Sequence, residues 1–155
     1  MPFIIDKTVD INAPADVVWE VISDLAKYPE WNPFCVECRS TLRPGDPIDM
    51  KVRLTARPQA QREWMKEYTA GKGFAYSMKP VPGGALSSRR SHEITPVDGA
   101  RSRYRSHFQL QGWLSVVVLA LFRRALENGF AGMTAGVKQR AEELWIHRQT
   151  NAGGG

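Results

Sequence analysis

At Gly112 the hydrophobic pattern changes period, and that change divides the chain into a sheet-forming part and a helix-forming part. Upstream, apolar and polar residues alternate in short runs. Ile48, Met50, Val52 and Leu54 interleave with Asp49, Lys51, Arg53 and Thr55, which is the pattern of a strand with one buried face. Downstream, Leu114, Val118, Leu121, Ala125, Met133, Val137, Ala141 and Leu144 recur at spacings of three and four. They mark one face of a helix of about thirty residues. A chain patterned this way lays one long helix against one sheet.

The first strand spans 3–11, with Phe3, Ile5, Lys7, Val9 and Ile11 on one face. Pro14 opens a short amphipathic helix carrying Val18, Val21, Ile22 and Leu25. Pro29 and Pro33 leave 25–33 room for only a broken second helical turn. Six further strands are expected at 34–42, 48–55, 61–69, 74–79, 86–95 and 101–111, with turns such as Arg43-Pro44-Gly45-Asp46 between them. Such short connections imply antiparallel neighbours. Gly129, Gly132 and Gly136 lie inside the long helix, where each costs about 1 kcal/mol against alanine. Either the helix bends there or it leaves room beside the sheet. The expected fold class is therefore α+β: a curved seven-stranded antiparallel sheet wrapped around a long C-terminal helix, with two short helices after strand 1. Residues 1–148 read as a single domain and 149–155 as a flexible tail.

The formal net charge is +5, but no lysine or arginine run concentrates it and no nucleic-acid reader motif is present, so nucleic acid is not an expected partner. The apolar stretch 113–122 is about half of what a bilayer span requires. It ends at Arg123 and Arg124, a composition that suits transient membrane contact at the mouth of a pocket. Residues 1–10 alternate and meet charge early, unlike a secretory signal, and Cys35 and Cys38 are not a disulfide framework. A reducing, cytoplasmic location is expected. On a strand, Cys35 and Cys38 would point to opposite faces, and no second pair completes a zinc site, so neither metal nor other cofactor is expected. Arg103, Arg105 and His107, with Arg89 beside them, form a basic stripe on the outer face of the sheet. It is either a solvated surface or a docking site for an acidic partner or anionic lipid. The sequence is silent on oligomeric state.

Ile11-Asn12-Ala13-Pro14, then Val18-Trp19, Asp24, Tyr28 and Trp31-Asn32-Pro33-Phe34, resemble the N-terminal signature of the START-like, Bet v 1-like (SRPBCC) superfamily, especially its polyketide cyclase/dehydrase and lipid-transport branch. Phe108-Gln109-Leu110-Gln111-Gly112 and residues 130–142 are similar too, so the resemblance covers nearly the whole chain. It implies the helix-grip fold with a cavity between sheet and helix. Members of that superfamily carry lipids, sterols, hormones, quinones or polyketides, and a minority catalyse cyclisation or dehydration. The fold alone selects no single activity.

The inward-facing set expected to line the interior is Met50, Val52, Leu54, Tyr76, Met78, Ile94, Tyr104, Phe108 and Leu110, with Phe34 and Met133. This set is either a packed core or the wall of a pocket for a hydrophobic small molecule such as a lipid, quinone or polyketide. Arg90 and His92 share the parity of Ile94 and therefore face inward with it. Arg90 suits a ligand carboxylate or phenolate, and His92 suits a hydrogen bond or proton transfer. In an enzyme of the cyclase/dehydrase type, His92 with Tyr76 or Tyr104 would manage protons. The alternative pairs Arg90 with Glu63 or Glu67 and makes His92 a satisfied interior histidine. A slip of one residue in register would expose both side chains.

Overall fold

The computed structural model describes residues 1–153. Strand β1 (Phe3–Ile11) leads through Pro14 into helix α1 (Ala15–Ser23). A single 3-10 turn at Leu25–Lys27 and the four-residue helix α2 (Tyr28–Trp31) follow. Strands β2 (Cys35–Ser40), β3 (Pro47–Val52), β4 (Gln59–Thr69), β5 (Gly73–Ser77), β6 (Ser87–Pro96) and β7 (Ser102–Gln111) then form a meander. Helix α3 (Ser115–Gly153) closes the chain.

The seven strands make one antiparallel sheet in the order β1-β7-β6-β5-β4-β3-β2. The only step that is not a hairpin is β1 joining β7, in register from Phe3 opposite Leu110 to Ile11 opposite Ser102. The sheet curves around α3 in the helix-grip arrangement. Apolar side chains of β1, α1, the inner sheet face and α3 form one core that includes Ile11, Val18, Ile22, Ile48, Met65, Tyr104, Val137 and Ala141.

Two expectations change. Helix α3 runs for 39 residues, well past the thirty that periodicity indicated, and it remains helical over 149–153 with exposed side chains. The rest of the expected tail, 154–155, lies outside the described residues. Leu121, assigned to the buried helix face, is 70% exposed. Around it the inward face follows Val118, Phe122, Leu126 and Phe130, so the step after Val118 is four residues and not three, and Met133, Val137 and Ala141 are buried as expected.

The glycines of α3 have a definite use. A Cβ at Gly129 would fall 2.2 Å from the Phe34 ring, one at Gly132 would be 3.2 Å from Pro33, and one at Gly136 would be 3.0 Å from the Trp31 carbonyl oxygen. The segment Trp31-Asn32-Pro33-Phe34 therefore lies along a glycine groove on the helix. Asn32, itself buried, fixes the segment's turn into β2, since its Oδ1 accepts from the Phe34 and Cys35 amides at 3.0 and 2.9 Å.

Candidate functional site

Between the inner face of the sheet and the first half of α3 lies a cavity of about 380 Å³. That is within the range of about 300–1,000 Å³ usual for small-molecule sites. Of the residues proposed from sequence, Phe34, Met50, Val52, Leu54, Tyr76, Met78, Arg90, Phe108, Leu110 and Met133 line it. Each strand contributes by its pleat: β3 turns Met50 and Val52 inward while Lys51 faces water. Leu54 and Met78 sit just beyond the ends of β3 and β5, at the rim.

His92, Ile94 and Tyr104 face inward as their parity requires, but they lie outside this lining, in the solid part of the core. His92 Nδ1 and the Tyr104 hydroxyl are 2.5 Å apart, and the His92 ring packs on Phe74 with centroids 4.7 Å apart. Burial, with the Arg90 charge as a lesser cause, holds the His92 pKa well below its ordinary range. A neutral imidazole bonded to a buried tyrosine is a satisfied interior pair, set one layer behind the lining residue Tyr76, whose ring centroid is 6.4 Å away.

Arg90 differs. It is 3% exposed and enters no ion pair among the described residues. Glu67, one of its two expected partners, bonds Arg89 at 2.9 Å instead. Arg90 Nη1 donates to Ser106 Oγ at 2.7 Å and to the Ser91 and His107 carbonyls at 3.1 and 3.3 Å. Nη2 approaches Met133 Sδ at 3.5 Å, and the guanidinium sits 4.7 Å above the Phe130 ring. Nε is buried with no hydrogen-bond partner. The cavity wall thus contains a fixed cation whose hydrogen bonds all go to neutral groups.

Of the lining residues that the sequence reading did not propose, Leu126, Phe130 and Glu63 matter most. Leu126 and Phe130 belong to the true inward face of α3, and their spacing to Met133 and Val137 was the available signal. Glu63 lines the cavity from β4, opposite Ile48, where it had been considered only as a rim partner for Arg90. Loss of hydration pushes its carboxyl up to about 7, against the opposing pull of the Arg90 charge. The alternation Gln61, Glu63, Met65 placed it inward all along.

Cys35 and Cys38 correct an argument from parity. A bulge between Cys35 and Glu37 breaks the alternation, so the two thiols become neighbours instead of diverging. The Cys35 thiol beside it, together with burial, pushes the Cys38 thiol up, away from the reactive thiolate. On the outer face, the basic stripe is neutralised where it stands. Arg103 bonds Asp10 at 2.8 Å, Arg105 bonds Asp6 at 2.5 Å, and His107 reaches Asp6 at 3.1 Å. Hydrogen bonds from Arg105 and His107 hold the Asp6 carboxyl down to about 2.

An antiparallel sheet gripping a C-terminal helix around an internal apolar cavity defines a ligand-binding class of fold. The chain belongs to the polyketide cyclase / dehydrase and lipid transport family, whose pattern it matches over residues 2–142. Among solved structures it is similar to the Zhui aromatase/cyclase from Streptomyces sp. R1128, at 16% identity and TM-score 0.73, covering 92% of this chain and 94% of that one. It is also similar to norcoclaurine synthase from Thalictrum flavum, at 14% identity and TM-score 0.66, covering 93% and 96%. A START superfamily protein from Mycobacterium smegmatis aligns at 16% identity and TM-score 0.57, covering 81% and 94%. At these identities the likeness is one of fold. No curated protein matches the chain.

Proposed function

We propose that the protein binds and carries a hydrophobic small molecule bearing an acidic oxygen, as a carboxylate, phenolate or enolate, in the cavity between the sheet and α3. The observation that carries this reading is Arg90. A buried guanidinium without a counter-ion loses several kcal/mol of hydration that neutral hydrogen bonds restore only in part. A ligand oxyanion would supply the missing partner, while Phe34, Met50, Val52, Phe108 and Phe130 accept its apolar body. Aromatic polyketides, quinols and fatty acids all have this chemistry. The binding unit is residues 1–148, and the free thiols of Cys35 and Cys38 support a reducing, cytoplasmic setting.

The test is thermal stabilisation by paired probes, an apolar acid and its methyl ester. The acid is expected to raise Tm and the ester to do so far less. Arg90→Met should weaken acid binding about 30-fold or more, as truncating one partner of a buried charge pair does. Equal stabilisation by acid and ester, or none by either, would overturn the reading.

A second reading, an enzyme of the cyclase or dehydrase type, is favoured by Glu63. A carboxyl that titrates near neutrality inside an apolar cavity is suited to general acid–base work, and Tyr76 lies on the same wall. His92 and Tyr104 do not line the cavity, so this reading now rests on Glu63. Turnover that needs Glu63 while ligand affinity does not would establish it.

A further inference from the structure

We infer that the open end of the cavity is a docking surface for an anionic membrane. Strands β3, β5 and β7 run in one direction, since each is separated from the next by one antiparallel neighbour. The segments that leave their C-terminal ends, 53–58, 78–86 and 111–126, therefore gather at one end of the sheet. The second and third are joined directly: Leu114 N donates to Ala85 O at 2.9 Å, and Gly112, with φ +110, has no room for a Cβ against that same carbonyl. Leu54, Met78, Leu86 and Val118, from the three segments, line the cavity, so this end is its mouth.

The mouth has two unusual properties. Its outer rim is apolar: Trp113, Val116, Val117 and Leu121 are 68%, 72%, 53% and 70% exposed, all within two turns of α3 and its approach. Such a cluster at the surface marks an interaction site. It is also free of acid. The three segments contain Arg53, Arg57, Lys79, Arg123 and Arg124 and not one aspartate or glutamate. Arg123 bonds Glu127 at 3.1 Å, and the other four enter no ion pair among the described residues. The contrast with the outer sheet face is sharp, because there Arg89, Arg103 and Arg105 are each paired with a carboxylate.

Apolar side chains ringed by unpaired bases are complementary to a bilayer interface with anionic headgroups. The bases gain from the negative surface potential and the rim inserts at the level of the acyl boundary. Among the described residues no helix is long and apolar enough to cross a membrane, and the contact inferred is a peripheral one. A second copy docked on the same patch would oppose like charges. A membrane also gives an apolar molecule a route into the cavity that avoids water, although the docking itself does not depend on what the cavity binds.

The experiment is vesicle flotation of the full chain on neutral phosphatidylcholine and on phosphatidylcholine containing about a third phosphatidylglycerol. The protein is expected to float with the anionic vesicles, to be released at high salt, and to leave the neutral ones largely unbound. The pair R57E with R124E should reduce binding roughly tenfold or more, and W113S with L121S should reduce it comparably. These side chains are exposed, so circular dichroism should be unchanged, and the wild-type comparison needs no variant. Equal binding to neutral vesicles would overturn the inference, as would no binding to either kind. Binding to an acidic protein without binding to vesicles would move the surface to a protein partner. A dimer in sedimentation that W113S dissolves would assign it to self-association.

Discussion

The two halves of the space between sheet and helix are built from the same kinds of residue and treat polar groups in opposite ways. In the half beneath α1 and the later turns of α3, the inward polar side chains have partners, with Asn32 Nδ2 the exception among the described residues. His92 meets Tyr104, and Ser102 donates to the Ala13 carbonyl at 2.8 Å. In the half beneath the first turns of α3, Arg90 keeps a free Nε and Glu63 enters none of the side-chain hydrogen bonds or ion pairs among the described residues. Buried polar groups are normally satisfied, and the exceptions call for an explanation. Arg90 Nε and Glu63 both lie at the cavity, the half that the proposed function opens to a ligand, whereas Asn32 Nδ2 lies outside its lining.

The sharpest way to break that contrast is to truncate one polar group in each half and compare stabilities. Tyr104→Phe removes the partner of a fully buried imidazole and should cost about 1–3 kcal/mol, measured by urea unfolding, with probe binding intact. Arg90→Met should leave the unliganded protein within about 1 kcal/mol of wild type, because exchanging an unpaired buried charge for an apolar side chain is often neutral or stabilising. If Arg90→Met proved the more damaging of the two, the cation would be structural and the contrast would fail.

A smaller effect is expected at the glycine groove. Gly129→Ala places a methyl group against the Phe34 ring, which lines the cavity. Overpacking of this kind costs about 1–3 kcal/mol, offset by about 1 kcal/mol of helix propensity. The displaced ring should also weaken probe binding. Gly136→Ala presses instead on the Trp31 backbone, away from the cavity, and should leave probe binding unchanged. Loss of binding in both variants, checked by calorimetric titration with the apolar acid, would mean that the halves are not separable.

Much of this was legible in the sequence, for reasons that also mark its limits. Strand alternation placed Met50, Val52, Tyr76 and Arg90 on one face, and the pleat turned all four inward. Parity is local, however, and could not tell that Arg90 opens on a void while His92, two residues on, is sealed by Tyr104 and Phe74. That distinction depends on where α3 leaves the sheet, a long-range property. Parity failed outright at Cys35 and Cys38, where a one-residue bulge reversed the facing. Helical periodicity found α3 and its later buried face but took Leu121 for Phe122 in the second turn. The outer stripe of Arg103 and Arg105 was visible, whereas its neutralisation by Asp6 and Asp10 was not, because it depends on β1 pairing with β7 across nearly a hundred residues.

The last effect expected is the one most specific to the open half. The Glu63 carboxyl titrates at about 7 in the folded chain, above its ordinary value of 4.5, because burial disfavours its charge more than Arg90 favours it. The folded state therefore holds a proton that the unfolded chain has already lost between these two pH values. Where the folded state binds more protons, stability falls as pH rises. The unliganded protein should be most stable on this account below about pH 4.5 and should lose on the order of 3 kcal/mol as pH climbs to about 7. Glu63→Gln should remove that slope, leaving the His92 and Asp6 contributions in place. A bound acidic probe should steepen the effect, since its charge and that of Glu63 would compete for the single guanidinium of Arg90. Identical pH profiles for wild type and Glu63→Gln, with and without the probe, would place Glu63 in ordinary contact with water and reduce the open half to one unpaired group.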